Sequence, residues 1–293
     1  MAPPSPRRSL EVAAAVVIAF AAAGAGTGCR RRHIPVTESP ELGYPSCGGG
    51  DAGDAGDADD PGVVVGSGHI RSGPYSAERD VVERFDFRRT ACGYTFRSRQ
   101  EWPREASDIE VRYDADLQPL WAWKRMTIPG SPRADGAAEI RRYELRTGDV
   151  FIKRRGADGV VALERLLPGG RRKAPEGARV GAVIGPGRGV LSAWLRRAKL
   201  AVGGKDYELV LDFRSAVETL EVASLERNDD RFEPTLGGQR VRVYTFYGSE
   251  TVFADDDDVV IGDLAGMRPS DSLPPPEPAS LPMYGDPDPR RGP

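Results

Sequence analysis

Apolar and polar residues alternate with a period of two through the middle of this 293-residue chain. DIEVRYD (residues 108–114) and KDYELVLDF (residues 205–213) show the pattern, with mostly charged residues between the apolar ones. Such a period is typical of strands that bury one face and expose the other, as in antiparallel sheets. The pattern predicts further strands at residues 83–89, 92–98, 119–128, 139–147, 149–155, 160–167, 218–226, 239–248 and 249–263.

One segment, GPGRGVLSAWLRRAKLAVGG at residues 185–204, has a helical period instead. Cations near its C-terminal end suit the helix dipole: Arg196, Arg197 and Lys199. Its apolar residues share one stripe, which predicts an amphipathic helix: Val190, Leu191, Trp194, Leu195, Ala198 and Leu200.

Together these elements predict an α+β fold that is mostly antiparallel β, in which a curved sheet, a half-barrel, packs around one amphipathic helix. In its order of elements the chain resembles the LolA/LolB-like half-barrel proteins of the bacterial envelope. That resemblance rests on no sequence motif, so it assigns no functional residue. A β-sandwich or a closed barrel is the alternative.

Composition sets the domain boundaries. Residues 29–78 are rich in Gly, Asp, Pro and Ser, for example CGGGDAGDAGDADDPG at 47–62, and they predict a lipidated N-terminus with a flexible spacer. Residues 267–293 are rich in proline and predict a disordered tail. The β-rich domain is therefore expected at residues 79–266.

The N-terminus has the features of an export signal. Arg7 and Arg8 precede the apolar run Val12–Ala23. A membrane-spanning helix needs about 20 apolar residues, so this run has the length of a signal-peptide core instead. The sequence predicts a signal peptide at residues 1–28.

The end of that signal resembles the lipobox of bacterial lipoproteins. Thr27 and Gly28 precede Cys29 as in that family, whereas Gly26 stands where the family prefers a branched apolar residue. The resemblance implies acylation of Cys29 and a lipid-anchored protein of the cell envelope. In enterobacterial lipoproteins, Asp after the lipidated cysteine retains the protein in the inner membrane. Arg30 occupies that position here, so the resemblance implies the periplasmic side of the outer membrane. An ordinary cleaved signal or an uncleaved short anchor is the alternative.

The chain has three cysteines, Cys29, Cys47 and Cys92. If Cys29 carries lipid, Cys47 and Cys92 are left to form a disulfide, which persists in exported compartments. Two free thiols are the alternative. The basic residues 30–32 would either strengthen membrane attachment or form a solvated stub.

Several kinds of chemistry are not expected in the β-rich domain. Its region contains no histidine, since His33 and His69 both precede residue 79. Ser-His-Asp, Cys-His and the usual zinc sites are therefore disfavoured, and we expect no cofactor or metal. The formal charge of −3 gives no support for nucleic-acid binding. GPGRG (residues 185–189) lacks the Lys-Ser/Thr of a P-loop.

Carboxylates offer a route to hydrolysis. The candidates are Glu218 with Glu221 and the run Asp255–Asp258. Adjacent residues of a strand point to opposite faces, so a polar turn explains the run better.

Aromatic residues give the main hint of binding. They either line a concave ligand cavity or form the core: Trp121, Trp123, Trp194, Tyr244 and Phe246. The sequence predicts a non-enzymatic, envelope-anchored lipoprotein whose β-rich domain binds a lipid or a lipophilic partner. A structural or interaction lipoprotein that contacts an envelope protein is the alternative, and a carboxylate hydrolase is the third hypothesis.

Overall fold

Strands dominate the part of the chain that the computed structural model describes, which is residues 33–35, 62–72, 81–102, 106–127, 137–145, 149–155, 161–214 and 217–269. In chain order the elements are β1 (His33–Pro35), β2 (Val63–Ser72), β3 (Val82–Thr90), β4 (Gly93–Glu101), β5 (Ala106–Tyr113), β6 (Pro119–Thr127), β7 (Ala137–Glu144), β8 (Val150–Arg155), β9 (Val161–Leu166), β10 (Val180–Ile184), α1 (Leu191–Ala198), β11 (Lys205–Asp212), β12 (Thr219–Glu233), the 3-10 helix η1 (Pro234–Leu236), β13 (Gln239–Phe246), β14 (Glu250–Ala254), β15 (Val260–Asp263) and β16 (Met267–Pro269).

The strands form two sheets. Sheet A has ten strands in the order β1-β9-β8-β7-β6-β5-β4-β3-β2-β16, and sheet B has six in the order β10-β11-β12-β13-β14-β15. Strands β10 and β11 pair in parallel, and the other pairs of neighbouring strands are antiparallel. The predicted fold class, mostly antiparallel β with a curved half-barrel and a helix, is confirmed.

The period of two places the core between the sheets. In register, Phe87 of β3 lies opposite Phe96 of β4, which lies opposite Val111 of β5. All three are buried in the main core cluster, which also contains Leu209 and Leu211 of sheet B. The alternate residues of β3–β5 are mainly charged, and they lie on the outer face of sheet A.

Helix α1 lies between the two sheets. Its Ala193 joins the main core cluster with sheet A, while Leu191, Trp194 and Leu195 join a second cluster with sheet B. The helix ends at Ala198, before the predicted Leu200, because the next residue has left-handed backbone angles and its N–H bonds to the carbonyl of Leu195.

The predicted cationic side of α1 contacts other elements. Arg196 donates to the carbonyl oxygen of Val65 (3.2 Å), and its guanidinium lies 5.3 Å from the ring centre of Phe87. Arg197 donates to Glu208 (2.8 Å) and to the carbonyl of Gly181. These arginines therefore fix the helix in the half-barrel through carbonyl, carboxylate and ring contacts.

The sheets extend beyond the predicted domain of residues 79–266. Strands β1 and β2 lie in the predicted spacer, and β16 lies in the predicted tail. The glycine content of β2 suggests a linker, but it serves close packing: a Cβ on Gly68 would lie less than 3.0 Å from the ring of Phe85. Met267 of β16 is buried in a small cluster with Ile70 of β2.

The same aromatic ring sets a stability test at the start of α1. A Cβ on Gly189 would lie less than 3.0 Å from three atoms of Phe85, in a buried position. We expect Gly189→Ala to lower the free energy of unfolding by about 3 kcal/mol, the upper range for overpacking. Urea unfolding of the purified chain measures the change.

Gly177→Ala is the matched control. Gly177 has a φ of +71°, and in the described part of the chain a Cβ there would meet no atom within 4 Å. Only the backbone cost of about 1 kcal/mol is expected. Equal losses for the two variants would contradict the steric argument at Gly189.

Candidate functional site

Three of the five aromatic residues that the sequence proposes for a ligand cavity share one cluster. Trp194, Tyr244 and Phe246 are buried between α1 and sheet B. The indole N–H of Trp194 donates to Asp206 (3.0 Å), and the Tyr244 hydroxyl donates to Asp258 (2.7 Å). Their polar atoms thus have partners within the protein, as in a packed core.

The other two aromatic residues lie elsewhere. Ala122 of β6 faces the main core, so Trp121 and Trp123 lie on the opposite, outer face of sheet A. They form their own buried cluster with Leu120 and Ile140. The structure therefore does not bring all five aromatic residues to one cavity, because alternation along β6 separates the Trp121–Trp123 pair from the rest.

Buried carboxylates on the outer face of sheet A are paired with arginines. Asp108 of β5 accepts from Arg99 of β4 (3.0 Å) and Arg125 of β6 (2.9 Å). In register these three residues lie directly opposite one another on neighbouring strands. Asp108 is fully buried although the sequence predicts a solvated face here. Two guanidinium partners compensate the cost of burying that carboxylate.

Glu218, a hydrolase candidate from the sequence, is buried where the two sheets meet. It accepts hydrogen bonds from Arg141 of β7, from Arg154 of β8 (2.6 Å) and from the Tyr143 hydroxyl (2.9 Å). Burial favours the neutral acid, but the two arginines outweigh it and lower the pKa of Glu218. Its carboxylate is held in an ion-pair cluster, and Glu221 lies beyond it in β12 beside Gly170.

Glu83, which is not among the residues predicted from the sequence, holds the segment before α1. Glu83 of β3 accepts from the backbone N–H groups of Arg188 (2.6 Å) and Gly189 (3.1 Å) and from the Ser98 hydroxyl (2.9 Å). Burial raises its pKa, and these hydrogen bonds oppose that rise. The signal was available: Glu83 alternates with Phe85 and therefore lies on the apolar face.

The GPGRG segment thus binds a carboxylate of its own chain. A Cβ on Gly187 would lie less than 3.0 Å from both Glu83 carboxylate oxygens. Glycine is required there because the backbone approaches the carboxylate closely. This segment is the loop that leads into α1.

The aspartate run forms the predicted polar turn between β14 and β15. Asp255 accepts from the backbone N–H groups of Asp257 (3.0 Å) and Val259 (2.9 Å). Asp258 has a φ of +59° and pairs with Arg242 (2.9 Å). These side chains stabilise the turn and its contact with β13.

Cys92 lies in the turn between β3 and β4, and it is disulfide-bonded. The other two cysteines, Cys29 and Cys47, lie outside the described residues, as does the proposed acylation site. The predicted Cys47–Cys92 pairing stays a prediction.

The described part of the chain contains neither a metal-binding cluster nor a helical membrane span. No three His, Cys, Asp or Glu side chains in that part of the chain form a group that could hold a metal ion. Nor does any helix described there have the length and hydropathy to cross a bilayer.

Comparison with known proteins assigns no family. No family model matches the sequence, and no curated protein does. A DUF1089 family protein from Pseudomonas aeruginosa matches in structure with 14% identity, over 65% of this chain and 92% of that one, with a TM-score of 0.36. A β-barrel-like protein of the domain of unknown function DUF1849 from Brucella abortus matches with 14% identity, over 68% and 84%, with a TM-score of 0.35.

The Glu218 cluster predicts a pH-dependent stability. Because its pKa is lowered on folding, the charged carboxylate stabilises the fold fully above the ordinary pKa of 4.5. That contribution is lost as the pH falls through the lowered folded value. We expect Glu218→Gln to cost about 3–5 kcal/mol at pH 7, since it removes the carboxylate that pairs with the buried Arg141 and the partly buried Arg154. Urea unfolding at several pH values measures the difference, which should shrink below pH 4.5.

Glu226→Gln is the control for that experiment. Glu226 pairs with Lys205 (2.9 Å) at a half-exposed position, where removing a charge costs at most about 1 kcal/mol. A Glu218→Gln variant that unfolds like Glu226→Gln, at every pH, would contradict the assigned role.

Proposed function

We propose that this chain is an exported lipoprotein of the bacterial envelope, acylated at Cys29 after removal of residues 1–28 and held on the periplasmic side of the outer membrane. The disulfide at Cys92 supports export, because disulfides are rare in reducing compartments. With Cys29 acylated, Cys47 is the remaining cysteine that could bond to Cys92.

The β-rich domain of this lipoprotein works by binding, without catalysis. The observation that carries this proposal is the use of its buried carboxylates: Glu83, Asp108 and Glu218 are each held by donors of the protein itself. A hydrolytic pair would need two carboxylates that face a substrate. The candidates from the sequence instead support a turn and an ion-pair cluster.

Two kinds of partner remain for the binding role. A lipid or lipophilic molecule is the first candidate, and it would contact the apolar cluster of Trp194, Tyr244 and Phe246, where α1 faces sheet B. A protein of the envelope is the second candidate, and the internal hydrogen bonds of Trp194 and Tyr244 favour it, because they suit a filled core.

Acylation is tested by expressing the full chain in a bacterium supplied with radioactive palmitate. We expect label on the wild-type chain and none on Cys29→Ser, since the thiol is the acceptor. Cys47→Ser should keep its label. Label that persists on Cys29→Ser, or is missing from the wild type, would contradict the proposed anchor.

Lipid binding is tested by native mass spectrometry of the chain from residue 29 onward, with Cys29→Ser, after incubation with a lipid extract. A ligand beside α1 would add mass to the chain. Trp194→Phe should reduce the bound mass several-fold, because it replaces an aromatic side chain that the ligand would contact. Trp121→Phe, on the outer face of sheet A, is the matched control. Equal bound mass in both variants, or none in the parent, would leave the protein partner as the binding role.

A further inference from the structure

The first strand of the fold begins close to the proposed lipid anchor. Three residues lie between Cys29 and His33, where β1 begins, and these four residue steps span at most about 14 Å. His33 pairs with Leu166 at the end of β9. With Cys29 acylated, as proposed above, this part of sheet A is therefore tied next to the bilayer.

The strand register identifies which rim of sheet A lies at that side. Following the register from Leu166 of β9 across the sheet to β2, the strand ends on this side are Val150 of β8, Pro119 of β6, Tyr94 of β4 and Val63 of β2. We call this side the anchor rim: the strand ends at His33, Leu166, Val150, Pro119, Tyr94 and Val63, with the described connections at residues 91–92, 114–118 and 167–179.

An exposed basic loop lies at the anchor rim. It runs from Gly169, three residues after β9, to the start of β10, with the sequence GGRRKAPEGAR and Glu176 as its one acidic residue. Its cations are exposed: Arg171, Arg172, Lys173 and Arg179. Ala174 and Ala178 of the loop pack against the main core, which holds the loop in place.

Exposed apolar residues concentrate on the same side. Tyr207, which is 46% exposed, lies under Arg172, whose guanidinium is 4.4 Å from the ring centre. Val63 begins β2 at this rim. Val202 follows the C-terminal end of α1. That end lies at the rim, because Arg197 donates to the carbonyl oxygen of Leu117 (3.4 Å). Of the seven exposed large apolar residues in the described part, four lie here: Val63, Val64, Val202 and Tyr207.

We propose that the anchor rim is a membrane-contacting surface that binds anionic phospholipid headgroups. Lys and Arg near an anionic bilayer are attracted to its surface potential. Aromatic and apolar side chains beside them suit the headgroup boundary. The chain as a whole has a net charge of −3, whereas the basic loop has a positive net charge. The lipid and the rim then act as two attachment signals.

The test uses the chain from residue 29 onward with Cys29→Ser, so that no acyl group contributes. Co-sedimentation is measured with vesicles of phosphatidylcholine, alone or mixed with phosphatidylglycerol. We expect binding to the mixed vesicles, at least about tenfold weaker binding to the neutral ones, and a loss of at least about tenfold in the triple variant Arg171→Glu, Arg172→Glu, Lys173→Glu.

The matched control is Arg71→Glu, Arg231→Glu, Arg240→Glu, which changes the net charge equally. These arginines are exposed. Arg71 lies at the opposite end of β2, paired with Val82. The other two lie on the β12–β13 hairpin, outside the basic loop of residues 169–179: Arg231 pairs with Glu233 (2.6 Å) and Arg240 pairs with Asp230 (2.9 Å). This control should bind the mixed vesicles within about threefold of the parent, and both triple variants should keep the melting temperature of the parent.

The outcomes separate this inference from the proposed anchor. Rim-dependent vesicle binding in a chain whose wild type takes up no palmitate would support the surface and overturn acylation. Palmitate uptake together with a rim triple that binds like the parent would overturn the surface and keep the anchor. Equal binding to both kinds of vesicle, equal losses in the two triples, or no binding by the parent would each overturn the surface as well.

Discussion

The position of α1 depends on one buried carboxylate. Glu83 of sheet A accepts the N–H groups of Arg188 and Gly189, the residues that lead into the helix. Burying this group carries a desolvation cost, which the two N–H donors and Ser98 offset in part, so that its pKa stays raised. The contact requires glycines, because the backbone at Gly187 and Gly189 lies against Glu83 and Phe85. Without this contact, the segment that leads into α1 would lose its hydrogen bonds to β3, and the apolar contacts of Ala193 and the ring contact of Arg196 would remain to hold the helix.

Further charges fix how the elements lie against one another. Arg188, in the segment that Glu83 holds, donates to Asp263 (3.0 Å) and Glu250 (3.1 Å) of sheet B. Arg214 binds the same Glu250 (2.7 Å). The segment before α1 thus contacts sheet A through its backbone and sheet B through a side chain. These pairs are partly exposed, and ion pairs of that kind add little stability. They fix the geometry of the elements, whereas the clusters of apolar residues contribute most of the free energy of folding.

Periodicity alone was enough to predict the main elements. Period two in DIEVRYD and KDYELVLDF corresponds to β5 and β11, and the helical stripe around Trp194 corresponds to α1. Strand β2 was missed because Gly66 and Gly68 are atypical of strands, and their reason is the distant ring of Phe85. The role of Glu218 was also out of reach, since its arginines come from strands more than 60 residues away. Long-range partners of this kind leave no local pattern in a sequence.

The two outermost strands of sheet A show how its ends are protected. β1 and β16 have three residues each, and each ends in a proline, Pro35 or Pro269. A proline lacks the N–H that a further strand would bind, and short edge strands limit pairing with other chains. Because β1 also stands four residues after Cys29, the acyl anchor would act directly on this edge.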